Sequence, residues 1–171
     1  MVQVAAEGAR GAGAEVTEID LKEYPLPVYD GDLEEAEGLP ENAVKLKELF
    51  LAHDGLLIAS PEYNGAITAA LKNLIDWISR PGADEKPLAC FSGKVAVIMA
   101  CSPGGLGGIR GLPMLRAILG GIGVVVLPDQ KAMPQAHEKF AAEGGMKEGK
   151  EREQVLGLGR VLAETAGKLN A

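Results

Sequence analysis

The chain has 171 residues, enough for one domain with a sizeable core, and its 47% hydrophobic and 24% charged residues are those of an ordinary soluble globular protein. A formal net charge of -7, with no Lys/Arg cluster, excludes a general nucleic-acid surface. No apolar run reaches the roughly 20 residues of a membrane-spanning helix; the longest, Ala117–Leu127, is broken by Gly120, Gly121 and Gly123.

Val2, Ala5, Ala6 and Ala9 repeat at helical spacing, so the chain is expected to open with a helix that Gly11 and Gly13 stop. Val16, Ile19 and Leu21 mixed with Thr17, Glu18 and Asp20 predict a short strand over Glu15–Leu21. Tyr24–Tyr29 carries two prolines and is expected to be an extended surface segment. Pro40 opens the next helix, with Leu46, Leu49, Phe50 and His53 inward and Gly55 at its end. Leu56–Ser60 reads as a strand apolar on both faces, as in a parallel sheet. Ile67, Leu71, Leu74 and Ile78 then mark a helix over Ala66–Ser79, stopped by Pro81. Lys94–Ala100 is a second buried strand. Leu112, Leu115, Ile118 and Leu119 mark a helix with Pro113 in its first turn, and Gly123–Leu127 is the last strand. Pro128–Gly149 is polar and irregular, with room for one turn of helix near His137–Ala142. Val155, Leu158, Leu162, Thr165 and Leu169 make the final helix. Such alternation predicts a parallel sheet with helices on both faces.

In sheets of this kind ligands bind outside the carboxyl ends of the strands. Two loops occupy such ends. The first, Pro61-Glu62-Tyr63-Asn64-Gly65, offers backbone N–H groups, a flat side chain at Tyr63 and a close approach at Gly65. The second, Cys101-Ser102-Pro103-Gly104-Gly105-Leu106-Gly107-Gly108, offers Ser102 and four glycines. Loops lined with N–H donors suit a planar heterocycle with polar edges. They suit a phosphate less well, because Arg110 is the one basic side chain there. Each loop also has an ordinary reading as a tight turn, and Trp77 one as core. Arg110 stands where a dinucleotide fingerprint needs its third glycine, which excludes that motif. Cys90 and Cys101 fit neither a metal spacing nor a disulfide framework, so a reducing, cytoplasmic compartment is expected. The start has no basic stretch or cleavage site of a signal peptide.

Ser60-Pro61-Glu62-Tyr63-Asn64-Gly65, followed by Leu71-Lys72-Asn73-Leu74-Ile75-Asp76-Trp77-Ile78-Ser79-Arg80, closely resembles the NADPH-dependent FMN reductase family, whose members include quinone, azo-dye and chromate reductases. Ser102–Gly111 looks like that family's second flavin loop, and Pro25–Asp30 fits its pattern as well. The resemblance implies one flavodoxin-like α/β domain over residues 1–171, a doubly wound parallel sheet in three αβα layers. It implies an NAD(P)H oxidoreductase in which FMN relays hydride from NADPH or NADH to a quinone, azo compound, flavin or similar small acceptor. Pro61, Glu62, Tyr63, Asn64 and Gly65 would hold the isoalloxazine ring, with Ser102, Gly104 and Gly105 at its other polar edge. No catalytic side chain and no metal is implied. The helix at 66–79 resembles the one through which the family forms homodimers or homotetramers; no nucleic-acid or membrane partner is implied.

One departure stands out. The family's first strand and its Ser/Arg-rich phosphate loop have no counterpart here, so the expected flavodoxin-like sheet lacks its first strand, and an upstream segment of the native protein is expected. Without that strand, Glu15–Leu21 and Leu56–Ser60 should either face a gap or pair directly. Two other functions stay open at this point: an electron carrier that never meets nicotinamide, and a non-catalytic subunit without flavin.

Overall fold

Strand β2 (Val95–Cys101) is the axis of the computed structural model, and its alternating side chains divide the core in two. The structure describes residues 1–82, 85–142 and 144–169. On one side Ala96, Ile98 and Ala100 meet Leu46, Leu74, Ile78, Leu112 and Leu115; on the other Val95, Val97 and Met99 meet Val4, Ala5, Val155, Leu158 and Leu162. A strand buried on both faces needs a continuous apolar run, and Val-Ala-Val-Ile-Met-Ala-Cys supplies it.

Helices α3 (Glu41–Leu51), α4 (Ala69–Ile78) and α5 (Gly111–Gly121) form the first layer; α1 (Val2–Gly11) and α7 (Lys150–Leu169) form the second. Between them β1 (Gly55–Ala59), β2 and β3 (Val125–Met133) lie parallel in that order, with Leu57 opposite Val97 and Val125 opposite Val95. Helices α2 (Gly31–Glu37) and α6 (Ala136–Lys139) are short additions outside the alternation. Among the described residues no helix is long and apolar enough to cross a membrane.

Helices α1 and α7 cross at van der Waals distance because each offers a glycine. A Cβ on Gly8 would lie 2.0 Å from the Leu156 carbonyl oxygen, and one on Gly159 1.7 Å from that of Ala5.

Four expectations are corrected. No strand forms over Glu15–Leu21: residues 14–20 are irregular and lead into a 3-10 turn at Leu21–Glu23, where the Asp20 carboxylate accepts from the Lys22 N–H. An alternating pattern makes a strand only beside a partner. Here the segment faces β1 across a cavity of about 1430 Å³ that both line. Second, β1 is only partly buried where a strand buried on both faces was expected: Leu56 is buried, Leu57 and Ile58 are half-buried and Ala59 is exposed, because β1 is an edge that faces the gap expected in place of a first strand. Third, β3 continues through Pro128 to Met133, where irregular chain was expected. Its register slips between Ala96 and Ile98, a bulge on an edge strand, where a proline removes no needed donor. Fourth, α4 starts at Ala69 rather than Ala66, since Thr68 caps it by accepting the Leu71 N–H at 3.2 Å.

Helix α2 was not anticipated, although its signal is present. Asp30 caps it, accepting from the Asp32 N–H at 2.8 Å and the Leu33 N–H at 3.4 Å, and Gly38 ends it with φ 75°. Helix α3 ends at Leu51, so His53 lies just beyond it rather than on its inner face, with Nδ1 donating back to the Leu49 carbonyl at 2.7 Å and Nε2 2.9 Å from the Thr17 hydroxyl.

Candidate functional site

The two loops singled out in the sequence leave adjacent strands on the same edge of the sheet. Ser60 N–H still pairs with the Met99 carbonyl at 2.9 Å, so loop one departs beside the end of β2, from which loop two springs.

Loop one is shaped by its own sequence. Tyr63 and Ala66 exchange both backbone hydrogen bonds at 3.0 Å, while Asn64 and Gly65 sit between them at φ 54° and 80°. Two positive φ values inside a two-residue turn are the geometry that Asn-Gly favours. The turn points its central N–H groups outward. Tyr63 stands 62% exposed beside them, a flat side chain projecting from the rim.

Loop two is anchored from below. Ser102 N–H donates to the Met133 carbonyl at 3.1 Å, and its own carbonyl accepts from Ala136 N–H at 3.0 Å. Gln135 N–H holds the Gly104 carbonyl at 3.2 Å. Gly107 lies against the end of β3: a Cβ there would stand 2.5 Å from the Met133 carbonyl carbon, so no larger residue fits. Gly104 and Gly105 are exposed instead; a Cβ on Gly104 would meet the Ser102 hydroxyl oxygen at 3.8 Å, and one on Gly105 would point into open space.

Glu62 joins the loops. Its carboxylate accepts from Arg110 Nε at 2.7 Å, Arg110 N–H at 2.9 Å and Gly111 N–H at 3.3 Å, and is paired with Arg110 Nη2 at 2.5 Å. Its side chain is 7% exposed. The hydrogen-bonded Arg110 guanidinium holds the carboxyl below the usual carboxylate range, helped by the two N–H groups and opposed by desolvation.

The N–H groups of Glu62, Asn64, Gly65, Gly104 and Gly105 make no hydrogen bond within the chain among the described residues. These two sets of donors lie on loops that Glu62 joins. They can bind an electron-rich planar edge and stabilise negative charge that develops on it. Of the residues read from the sequence, Pro61 through Gly65 and Ser102, Gly104 and Gly105 all lie on these two loops. Arg110, the one basic side chain of the second loop, is committed to Glu62. The Gln135–Ala136 support was missed, since no local pattern tells which carbonyl a distant N–H will reach.

A parallel three-stranded sheet between two helical layers, with donor-lined loops at neighbouring carboxyl ends, defines a flavodoxin-like α/β protein. The family model for NADPH-dependent FMN reductase matches residues 1–138, and the chain belongs to that family. It is 42% identical over 94 residues to a quinone reductase of Escherichia coli (strain K12), a match covering 55% of this chain and 47% of that protein, so the chain spans about half the length of that curated relative in the match. An FMN-dependent NADH:quinone oxidoreductase of Shewanella amazonensis is 32% identical over 169 residues, covering 86% of this chain and 85% of the relative. Among solved structures, the flavoenzyme NAD(P)H:(acceptor) oxidoreductase FerB of Paracoccus denitrificans superposes with TM-score 0.79 at 29% identity, over 97% of this chain and 87% of that one.

Proposed function

We propose that the chain is an FMN-dependent NAD(P)H oxidoreductase acting on a quinone, azo compound or similar planar acceptor. The observation that carries this reading is the pair of donor-lined loops with free N–H groups on one edge of the sheet. The fit is to the flavin ring and is chemical: the ring's pyrimidine end presents carbonyl and imine acceptors, and the loops present backbone donors, with open space at Gly65 and Gly105. When bound there, FMN supplies the hydride and electron chemistry that no side chain of the site provides.

The chain's part is to hold and to polarise. The N–H groups of Asn64 and Gly65 orient one polar edge, and those of Gly104 and Gly105 stabilise negative charge at the other. Tyr63 bounds the mouth, where nicotinamide and acceptor take turns.

The test is acceptor-dependent NAD(P)H oxidation by purified protein given FMN and a quinone. Turnover is expected; a folded, FMN-loaded sample without it overturns the reading. We propose in addition that two copies pair through α4, whose outward Ala69, Ala70, Lys72 and Asp76 are small or mutually paired at 2.6 Å. Sedimentation velocity should show a dimer or tetramer; a monomer at working concentration overturns it.

A further inference from the structure

The carboxylate of Glu62 faces inward, toward the neighbouring loop, rather than the open space at Gly65 and Gly105. We propose that Glu62 is a positioning residue: it latches the Pro61–Gly65 loop to the first turn of α5 and thereby fixes the spacing of the two rows of N–H donors. This rests on the FMN reading above.

Three observations converge on it. First, α5 begins without a side-chain cap of its own, since Arg110 occupies the capping position. Glu62, 48 residues earlier, supplies the acceptor instead, taking Arg110 N–H and Gly111 N–H on one carboxylate oxygen. A carboxylate at a helix N-terminus meets both unpaired donors and the positive end of the helix dipole. Second, the other oxygen takes Arg110 Nε at 2.7 Å and Nη2 at 2.5 Å, so the guanidinium is held by its planar fork. Third, the loops touch where the latch sits. A Cβ on Gly111 would lie 3.3 Å from the Ala66 carbonyl oxygen, and one on Gly108 3.7 Å from Glu62 Cβ. Loop one is hairpin-tight within itself, and among the described residues the side-chain hydrogen bonds that tie it to the start of α5 are those of Glu62.

Arg110 is the charged group facing Glu62; its other partners are backbone N–H groups. The folded carboxyl titrates below its ordinary value, so the latch is complete above the ordinary carboxylate range. It is lost only as pH falls through the lowered value.

The test is a double-mutant cycle of Glu62→Gln and Arg110→Gln, read by FMN dissociation constant and by amide hydrogen exchange of the hydrogen-bonded Tyr63 and Ala66 in the FMN-free protein. Each single variant should weaken FMN about tenfold, the size of one lost charge-assisted contact. The double variant should be no weaker than the worse single, because either change opens the same latch. Exchange at Tyr63 and Ala66 should quicken in both. The wild-type protection factor, taken against the intrinsic exchange rate at each pH, should fall only in acid, while the Glu62→Gln variant shows no such pH step. Additive losses, or unchanged FMN affinity together with unchanged exchange, overturn the latch. Wild-type protein that binds no FMN overturns the cofactor reading instead, and the exchange data then decide the latch alone.

Discussion

Gly159→Ala is expected to lower the melting temperature by roughly 4–8 °C, corresponding to about 2 kcal/mol for a chain of this size. The sign is decided by two opposed terms. Alanine is the better helix former by about 1 kcal/mol, which alone would stabilise α7. At this position, however, the added methyl would lie 1.7 Å from the Ala5 carbonyl oxygen and 2.7 Å from the Ala9 nitrogen. Both are backbone atoms of α1, so no rotamer change relieves the clash, and the helices must part. Val155, Leu158 and Leu162 ride on α7 into the core beneath β2, so parting the helices loosens the whole layer. Overpacking of this kind costs typically about 1–3 kcal/mol beyond any propensity gain. Gly157 is the control: it lies in the same helix, with open space where its Cβ would go. Gly157→Ala should raise the melting temperature by roughly 2–4 °C. Thermal melts followed by circular dichroism separate the two; a Gly159→Ala protein as stable as wild type would show that α1 and α7 do not pack this closely.

That pair of glycines marks the boundary of what a sequence discloses. Asn64-Gly65 announces its turn because the conformation is chosen by the two residues themselves. Gly157 and Gly159 look alike on the page, and only the approach of α1 tells them apart. The same division holds for strands. Val95–Cys101 is legible because a run buried on both faces carries its own signal. The alternation of Val16, Ile19 and Leu21 is equally clear, but pairing needs a second strand, and β1 lies across a cavity. In β3 the error ran the other way: Pro128 suggests an end to the strand, whereas a bulge on an edge accommodates it. The site follows the rule. Its loops were legible at the strand ends, but not which N–H groups stay free: of those from Glu62 to Ala66, Tyr63 and Ala66 spend theirs on each other. The Glu62–Arg110 link was not legible either, since it joins side chains 48 positions apart.

The Leu71–Arg80 motif is the most distinctive stretch of the chain, and its second expected effect is larger still. Trp77→Ala should cost about 3–5 kcal/mol, or roughly 6–20 °C. Trp77 is fully buried, and its indole N–H donates to the Pro27 carbonyl at 2.8 Å. Asn73 donates to the same carbonyl at 2.9 Å and accepts the Tyr29 N–H at 2.8 Å. The Tyr29 ring meets the indole edge-on, with centroids 5.0 Å apart. Its hydroxyl donates to Glu34 at 2.8 Å, and Arg80 returns to the same carboxylate. One face of α4 thus clamps the proline-rich segment that could form no regular element by itself. Truncating the indole leaves a cavity under this clamp and frees residues 24–37. Trp77→Phe keeps most of the volume, and Asn73 still satisfies the Pro27 carbonyl, so that variant should lose only about 1 kcal/mol. Hydrogen exchange should locate the damage: faster exchange at Tyr29 and along α2 in Trp77→Ala, little change in Trp77→Phe. Equal losses in the two variants would mean that the indole N–H, not the packing, holds the segment. Unaltered exchange at Tyr29 in Trp77→Ala would mean that the motif serves something outside this chain.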